Sequence, residues 1–352
     1  MSNPATVLVE RPGMLTTVQD CGRHGWQHVG VVPSGAMDSD SLQLANALVG
    51  NDLNLAGLEI TLRGPTLHFQ CDTLVALAGA QFDARVTTDG RELPCPLNRP
   101  VLLHAGARLS IDQPRHGFRA YLAVAGGIDV PTLLGSRCTY LAAAMGGFEG
   151  RALKKGDQLP LASDAQALAH ARFGQLAHGS ATSTPNMPLQ SVRWSVAPRS
   201  LPRDEPVVVR CVDGHHRELF SPEALAAFEA GSYRISPQSN RMGYRLLGAR
   251  LERIQAGDIL SEPTALGTVQ VPADGLPIVL MADHQTTGGY AKIAEVAGAD
   301  IARLAQLRPG QELRFVRCTL TDARALAQAG HQAMQVAVQA IRLKFNAPAS
   351  GN

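Results

Sequence analysis

V-P-S-G-A-M-D (residues 32–38), L-E-I-T-L-R-G-P-T-L-H-F (58–69), L-V-A-L-A-G-A (74–80) and L-H-A-G-A-R-L-S-I (103–111) follow one another in the first half of the chain. The second half runs in the same order: S-P-Q-S-N-R-M-G (236–243), L-S-E-P-T-A-L-G-T-V-Q-V (260–271), I-V-L-M-A-D-H (278–284) and L-R-P-G-Q-E-L-R-F (307–315). The match is weak letter by letter and good in pattern. Each copy has a polar loop, then short apolar runs cut by turn residues. A pattern that recurs in order and spacing marks a duplicated unit. Short runs separated by Gly and Pro read as strands of a barrel or sandwich. The expected fold class is therefore mainly β with some α (α+β), with two similar barrels in tandem.

Composition agrees. At 352 residues the chain is long enough for two domains. With 45% apolar and 18% charged residues it can fill two cores. The 34 glycines and 22 prolines supply many tight turns. A net charge of +2 gives no reason to expect nucleic acid as a partner. No window is apolar enough to cross a membrane, and no leader pattern opens the chain, so a cytoplasmic location is expected. The six cysteines are scattered without a C-x-x-C pair, which points to reduced thiols and no metal site. His215 and His216 are adjacent and on a strand would face opposite ways.

Helices are fewer. Asp38 or Ser39 can cap one running through Leu42, Ala45 and Val49 to Gly50. Ser221, Pro222, Glu223 and a closing Gly231 define a second. From Thr321 to Phe345, Leu326, Met334, Val338, Ile341 and Phe345 fall at helical spacing and predict an amphipathic helix packed on the body. The Ala/Ser/Thr/Pro-rich stretch 162–191 reads as a linker with a short helix in it.

Four segments carry chemistry. In the first (18–38), Asp20, Arg23, His24, Ser34 and Asp38 lie in a glycine-rich run whose backbone N–H groups suit an anionic ligand. In the second, Ser236 and Asn240 lead to Arg241 and Arg245, either of which could clamp a carboxylate bidentately. In the third, Glu262 and Gln270 end a hairpin. In the fourth, an apolar strand delivers Asp283, His284, Gln285, Thr286 and Thr287, then bends at Gly288-Gly289 before Lys292. Asp283, His284 and Lys292 are the acid/base candidates. Ser34, Asp38, Ser236, Asn240, Arg241, Gln270, Gln285, Thr286 and Thr287 are the substrate-binding candidates. His284 and Lys292 are expected on an exposed rim, where truncation costs little stability. P-loop, G-x-G-x-x-G, H-E-x-x-H and G-x-S-x-G motifs are absent.

V-Q-D-x-G-R-x-G, G-V-x-x-S-G-A-M-D, A-N-x-L-V-G-N, A-x-L-E-x-T, S-P-Q-S-N-R-M-G-Y-R-L and M-A-D-x-Q-T-T-G-G-Y together resemble the biotin-dependent carboxyltransferase-like family. That family includes the C-type component of 5-oxoprolinase, the second component of allophanate hydrolase and the sporulation-kinase regulator KipA. His284 occupies a variable place of its motif. The resemblance implies two cyclophilin-like barrels, at 1–161 and 206–318, joined by a linker at 162–205 and followed by a C-terminal helix and tail at 319–352. It implies ATP-dependent opening of 5-oxo-L-proline to L-glutamate, with ATP and Mg as co-substrate and with 5-oxoprolinase A and B subunits as partners. The chain is then expected to be inactive alone. A biotin-dependent urea carboxylase or allophanate hydrolase-type role is a second expectation. It would need a separate carrier, because no M-K-M biotinyl segment is present. A non-enzymatic KipA-type antagonist of a kinase inhibitor is a third.

Overall fold

The computed structural model describes residues 5–177, 187, 189–197, 201, 206–254, 257 and 259–346. Its chain forms two compact units. Unit 1 comprises Met1–Gly22, Ser39–Ser200 and Ala333–Asn352, and unit 2 comprises Arg23–Asp38 and Leu201–Gln332. Parts of the expected 162–205 linker lie outside the described residues. Within it, the helix Ala165–Ala177 and the strand Leu189–Ser191, which pairs with Val101–Leu103, belong to unit 1, and Leu201 belongs to unit 2.

Unit 1 is a branched ten-stranded sheet built on two long strands, Thr73–Thr88 and Arg108–Val124. Irregular register between Gly79 and Ala84 lets these strands change partners along their length. Their inward residues, among them Val75, Leu77, Phe82, Leu109, Ile111 and Leu122, share one apolar core with Val7, Val9, Leu58 and Ile60. The helix Ser39–Leu48 presents Leu42, Ala45 and Leu48 to the interior, as its spacing predicts. Asp20 is a structural acid. It accepts from the Gly22 amide (2.9 Å), Ser136 Oγ (2.7 Å) and the Arg137 amide (2.6 Å), so its oxygens are consumed in holding a loop.

Unit 2 is a closed seven-stranded barrel. In order round the barrel its strands are Val207–Asp213, Ala291–Val296, Thr268–Val271, Ile278–Leu280, Gly243–Leu247, Tyr233–Ile235 and Glu312–Arg317. Neighbours are antiparallel except at closure, where Val207–Asp213 runs parallel to Glu312–Arg317. Alternate residues fill the barrel: Val207 and Val209, Tyr244 and Leu246, Val269 and Val271, Leu313 and Phe315. The helix Pro222–Ala230 forms as its caps predict, with Ser221 Oγ accepting from the Ala224 amide at 3.1 Å. It stacks Phe228 on Phe315, ring centroids 4.6 Å apart.

Two expectations are corrected. The polar stretch 32–38 belongs to unit 2, beside the second copy of the repeat, and not to the first barrel. Glu262 and Gln270 do not share a hairpin. Glu262–Pro263 pairs with Thr287–Gly288, while Thr268–Val271 pairs with Ile278–Leu280 and Ala291–Val296. His215 and His216 lie in a turn, and their rings meet edge-on with centroids 4.9 Å apart. The C-terminal helix forms over Leu320–Phe345 as predicted, with Val338 and Ile341 of its stripe buried and Leu326, Met334 and Phe345 half-buried. The six cysteines form no disulfide, and no described helix is long and apolar enough to cross a membrane.

Candidate functional site

The site in unit 2 is assembled from the polar ends of barrel strands and the segment Arg23–Asp38. The Ile278–Leu280 strand runs into Met281 and Ala282, both buried, and then meets Asp283 at 3% exposure. A carboxylate so deep requires partners. Arg241 supplies them: Nε donates to Asp283 Oδ2 at 2.9 Å and Nη2 to Oδ1 at 2.9 Å. Arg241 Nη2 also reaches the Gly35 carbonyl at 2.5 Å, and Ser34 Oγ donates to Asp283 Oδ1 at 2.6 Å. Ser34 has φ of 55° and Gly35 of 91°, so the chain turns through the left-handed region to bring both groups in. A non-glycine residue there costs on the order of 1 kcal/mol, which the two hydrogen bonds offset. Asp38 is tied elsewhere, accepting from Gln306 Nε2 at 2.8 Å. Ser236 and Asn240 shape their own loop. Ser236 Oγ accepts from the Gln238 amide and Asn240 Oδ1 from the Met242 amide.

Behind this knot, Gln270 and Lys292 stand directly opposite each other on neighbouring strands, on the face turned away from the barrel core. Both are nonetheless buried, at 1% and 4% exposure. The ribbon Glu262–Pro263/Thr287–Gly288 lies over them. Lys292 Nζ donates to Glu262 Oε1 at 2.6 Å and to the Pro263 carbonyl at 2.8 Å. Gln285 Nε2 donates to Gln270 Oε1 at 3.4 Å, and Gln270 Nε2 is buried with no partner among the described residues. Gln270 is among the residues that line a cleft of ≈ 170 Å³. Asn240, Arg245, Gln285 and the half-exposed Tyr290 line it too, with Met242, Ile278 and Leu280 as apolar lining. A buried amide N–H without an acceptor is costly and suits a ligand oxygen. Gly288 keeps the space open, because a Cβ there would stand 2.7 Å from Gln270 Nε2.

His284 is buried at 2%, not on a rim. Its Nδ1 lies 2.8 Å from the Gln285 carbonyl and 3.2 Å from Thr264 Oγ1. Donation from Nδ1 to the carbonyl leaves Nε2 as the basic nitrogen of a neutral ring. Burial pushes the imidazole below its ordinary value, against smaller opposing effects of the Gln285 carbonyl and Asp283. The unfolded chain therefore binds a proton that the folded chain resists. Stability should fall as pH drops from the ordinary histidine range, near 6.5, towards the lowered folded value, and level off below it. Melting curves between pH 5 and 7.5 should show this loss in the wild type and a flatter profile in His284→Gln. Identical profiles would place the titration elsewhere.

The structure thus joins Ser34, Arg241 and Asp283 directly. It gathers Asn240, Gln270 and Gln285 on one cleft and sets His284 beside Gln285. Thr286 gives its carbonyl to the Thr264 amide (3.0 Å), and Thr287 is exposed. Lys292 sits in a separate ion pair, and it too is buried rather than on a rim. Three ligand-type groups near it, His215, His216 and Glu262, lie within 4.8 Å of one another. His216 Nδ1 accepts the Lys292 amide at 3.3 Å and Glu262 carries the ammonium, so this group is internally paired. Thr264, Gln306 and Tyr290 escape a reading of the sequence as site residues. Their side chains acquire roles only through contacts with distant parts of the chain, and no local pattern announces that.

The family model described as carboxyltransferase domain, subdomain A and B, matches residues 29–317. The chain is 43% identical over 317 residues to the C subunit of 5-oxoprolinase from Escherichia coli strain K12, covering 89% of this chain and 91% of that one. It is 33% identical over 336 residues to urea amidolyase of Saccharomyces cerevisiae, covering 92% of this chain but only 17% of that far longer protein. The crystal structure of Kluyveromyces lactis urea carboxylase superposes with a TM-score of 0.83 at 31% identity, over 96% of this chain and 29% of that one. The knot, the cleft and the barrel that holds them fall within the matched span, and this chain belongs to the carboxyltransferase domain family, subdomains A and B.

Proposed function

We propose that this chain is one component of an ATP-dependent 5-oxoprolinase, opening the lactam of 5-oxo-L-proline to L-glutamate together with A- and B-type subunits. The observation that carries this reading is the 43% identity to a 5-oxoprolinase C-type component across nine-tenths of both chains. The cleft supplies matching chemistry. Gln270 Nε2 offers a hydrogen bond to the lactam oxygen. Arg241 already holds Asp283, so in this reading Arg245 at the cleft takes the substrate carboxylate. His284, buried beside Gln285 and outside the cleft lining, is in this reading the proton acceptor for water through Nε2. The lactam amide is resonance-stabilised. ATP, as co-substrate, transfers its γ-phosphoryl group to the carbonyl oxygen and leaves as ADP; a first water adds to the activated carbon, the ring C–N bond breaks as the nitrogen takes a proton to give an acyl phosphate, and a second water releases phosphate and glutamate. A second reading, carboxyl transfer to a urea-like amide, is favoured by the TM-score of 0.83 to a urea carboxylase.

The test is reconstitution. Glutamate formation from 5-oxo-L-proline and ATP should be negligible with this chain alone and appear when the A- and B-type subunits are added. Turnover by the isolated chain would refute the dependence on partners. An assembled complex that is inert towards 5-oxoproline, yet consumes urea with a biotinyl carrier, would select the second reading.

A further inference from the structure

We propose that Lys292 is a positioning residue: its ion pair with Glu262 latches the outer ribbon over the barrel and so sets the wall of the cleft. The proposal rests on reading that cleft as the substrate site. Lys292 projects from the strand Ala291–Val296, away from the core, beside Gln270. Its two acceptors, Glu262 Oε1 and the Pro263 carbonyl, are both on the ribbon and not on the barrel. Holding the ribbon down is therefore the condition for burying the charge. Glu262 is ionised with ease, because the Lys292 ammonium lowers its carboxyl below the ordinary range, with smaller help from His216 and His215.

The latch reaches the cleft through backbone. Glu262 pairs with Gly288 and Pro263 with Thr287, and the Thr264 amide donates to Thr286 O. These pairings fix Gln285 and Gly288, the first of which orients Gln270 while the second leaves room for its free N–H. An ammonium with protons on a carboxylate and a carbonyl is a poor acid or base towards substrate. It is a good clamp, and clamps of this kind matter because small displacements of a reacting geometry cost rate.

Two measurements test this. Hydrogen exchange at the Thr264 amide should quicken by about tenfold or more in Lys292→Met and in Glu262→Gln, while amides of the barrel core keep their protection. In the reconstituted complex, both variants should raise KM for 5-oxo-L-proline more than they lower kcat. The double variant should be no worse than either single one, and Lys292→Arg should recover part of the loss. Unchanged exchange at Thr264 overturns the latch. So does a Lys292→Met enzyme whose kcat collapses and loses a pH limb while Glu262→Gln behaves as wild type, since that is the signature of an acid/base lysine. If exchange quickens but the wild-type complex does not turn over 5-oxoproline, the latch stands and the substrate assignment falls.

Discussion

Asp283→Ala is expected to destabilise unit 2 by about 3–5 kcal/mol, because it removes a carboxylate that pairs with the buried Arg241 guanidinium. Arg241 is 4% exposed, and two of its donors end on this one carboxylate. Ser34 Oγ would lose its acceptor as well. For a unit of this size the melting temperature should fall by roughly 10 °C. Arg241→Lys should also be costly. Lysine keeps the charge but cannot serve both carboxylate oxygens and the Gly35 carbonyl with one planar fork. The paired change Arg241→Met/Asp283→Leu should be milder than Asp283→Ala, since it removes both buried charges together. Thermal denaturation of the three variants decides the matter. An Asp283→Ala protein as stable as wild type would mean that the knot does not hold the segment Arg23–Asp38 to the barrel.

Gly288→Ala should have the opposite profile, with little change in stability and a large loss of substrate binding. The added Cβ would stand 2.7 Å from Gln270 Nε2 and 3.2 Å from Gln285 Nε2. Both are ends of flexible side chains, so the fold can give way by rotating them. In doing so it swings the amides out of the cleft. KM for 5-oxo-L-proline is expected to rise at least about tenfold, the equivalent of one well-placed hydrogen bond to a buried donor. Gln270→Met separates the donor from the space. It deletes the orphaned N–H, so the melting temperature should hold or rise, while KM rises by a similar factor. Wild-type KM in both variants would remove Gln270 from substrate recognition.

Much of this architecture is legible in the sequence because it rests on local rules. Short apolar runs cut by turn residues mark the strands at 58–62, 67–69 and 74–77, and a Ser-Pro-Glu start with a closing Gly marks the helix Pro222–Ala230. The polar groups that follow the apolar run at 278–282 mark Asp283 and His284 as unusual, since a buried strand has no packing use for them. Reading His284 and Lys292 as a rim fails for a definite reason. Polarity suggests exposure, yet a polar residue can be buried when partners elsewhere in the fold satisfy it. Arg241 does this for Asp283, Glu262 for Lys292, and the Gln285 carbonyl for the His284 ring.

The amino-acid sequence alone therefore determined the β-rich class, several strands, two capped helices and the family resemblance, and it named candidate site residues. Each of these depends on side-chain periodicity, turn chemistry or residue identity within a few positions. Only the tertiary structure decided how those residues are used. It took the segment Arg23–Asp38 into the second unit, sent Glu262–Pro263 to Thr287–Gly288 instead of to Gln270, and made Arg241 an internal partner of Asp283. It also left the buried Gln270 Nε2 without an acceptor among the described residues. The physical reason is that hydrogen bonds and ion pairs between groups far apart in the chain, such as Ser34 with Asp283 or Lys292 with Glu262, are selected by closure of the barrel and the cost of burying charge. No short window of sequence contains both partners.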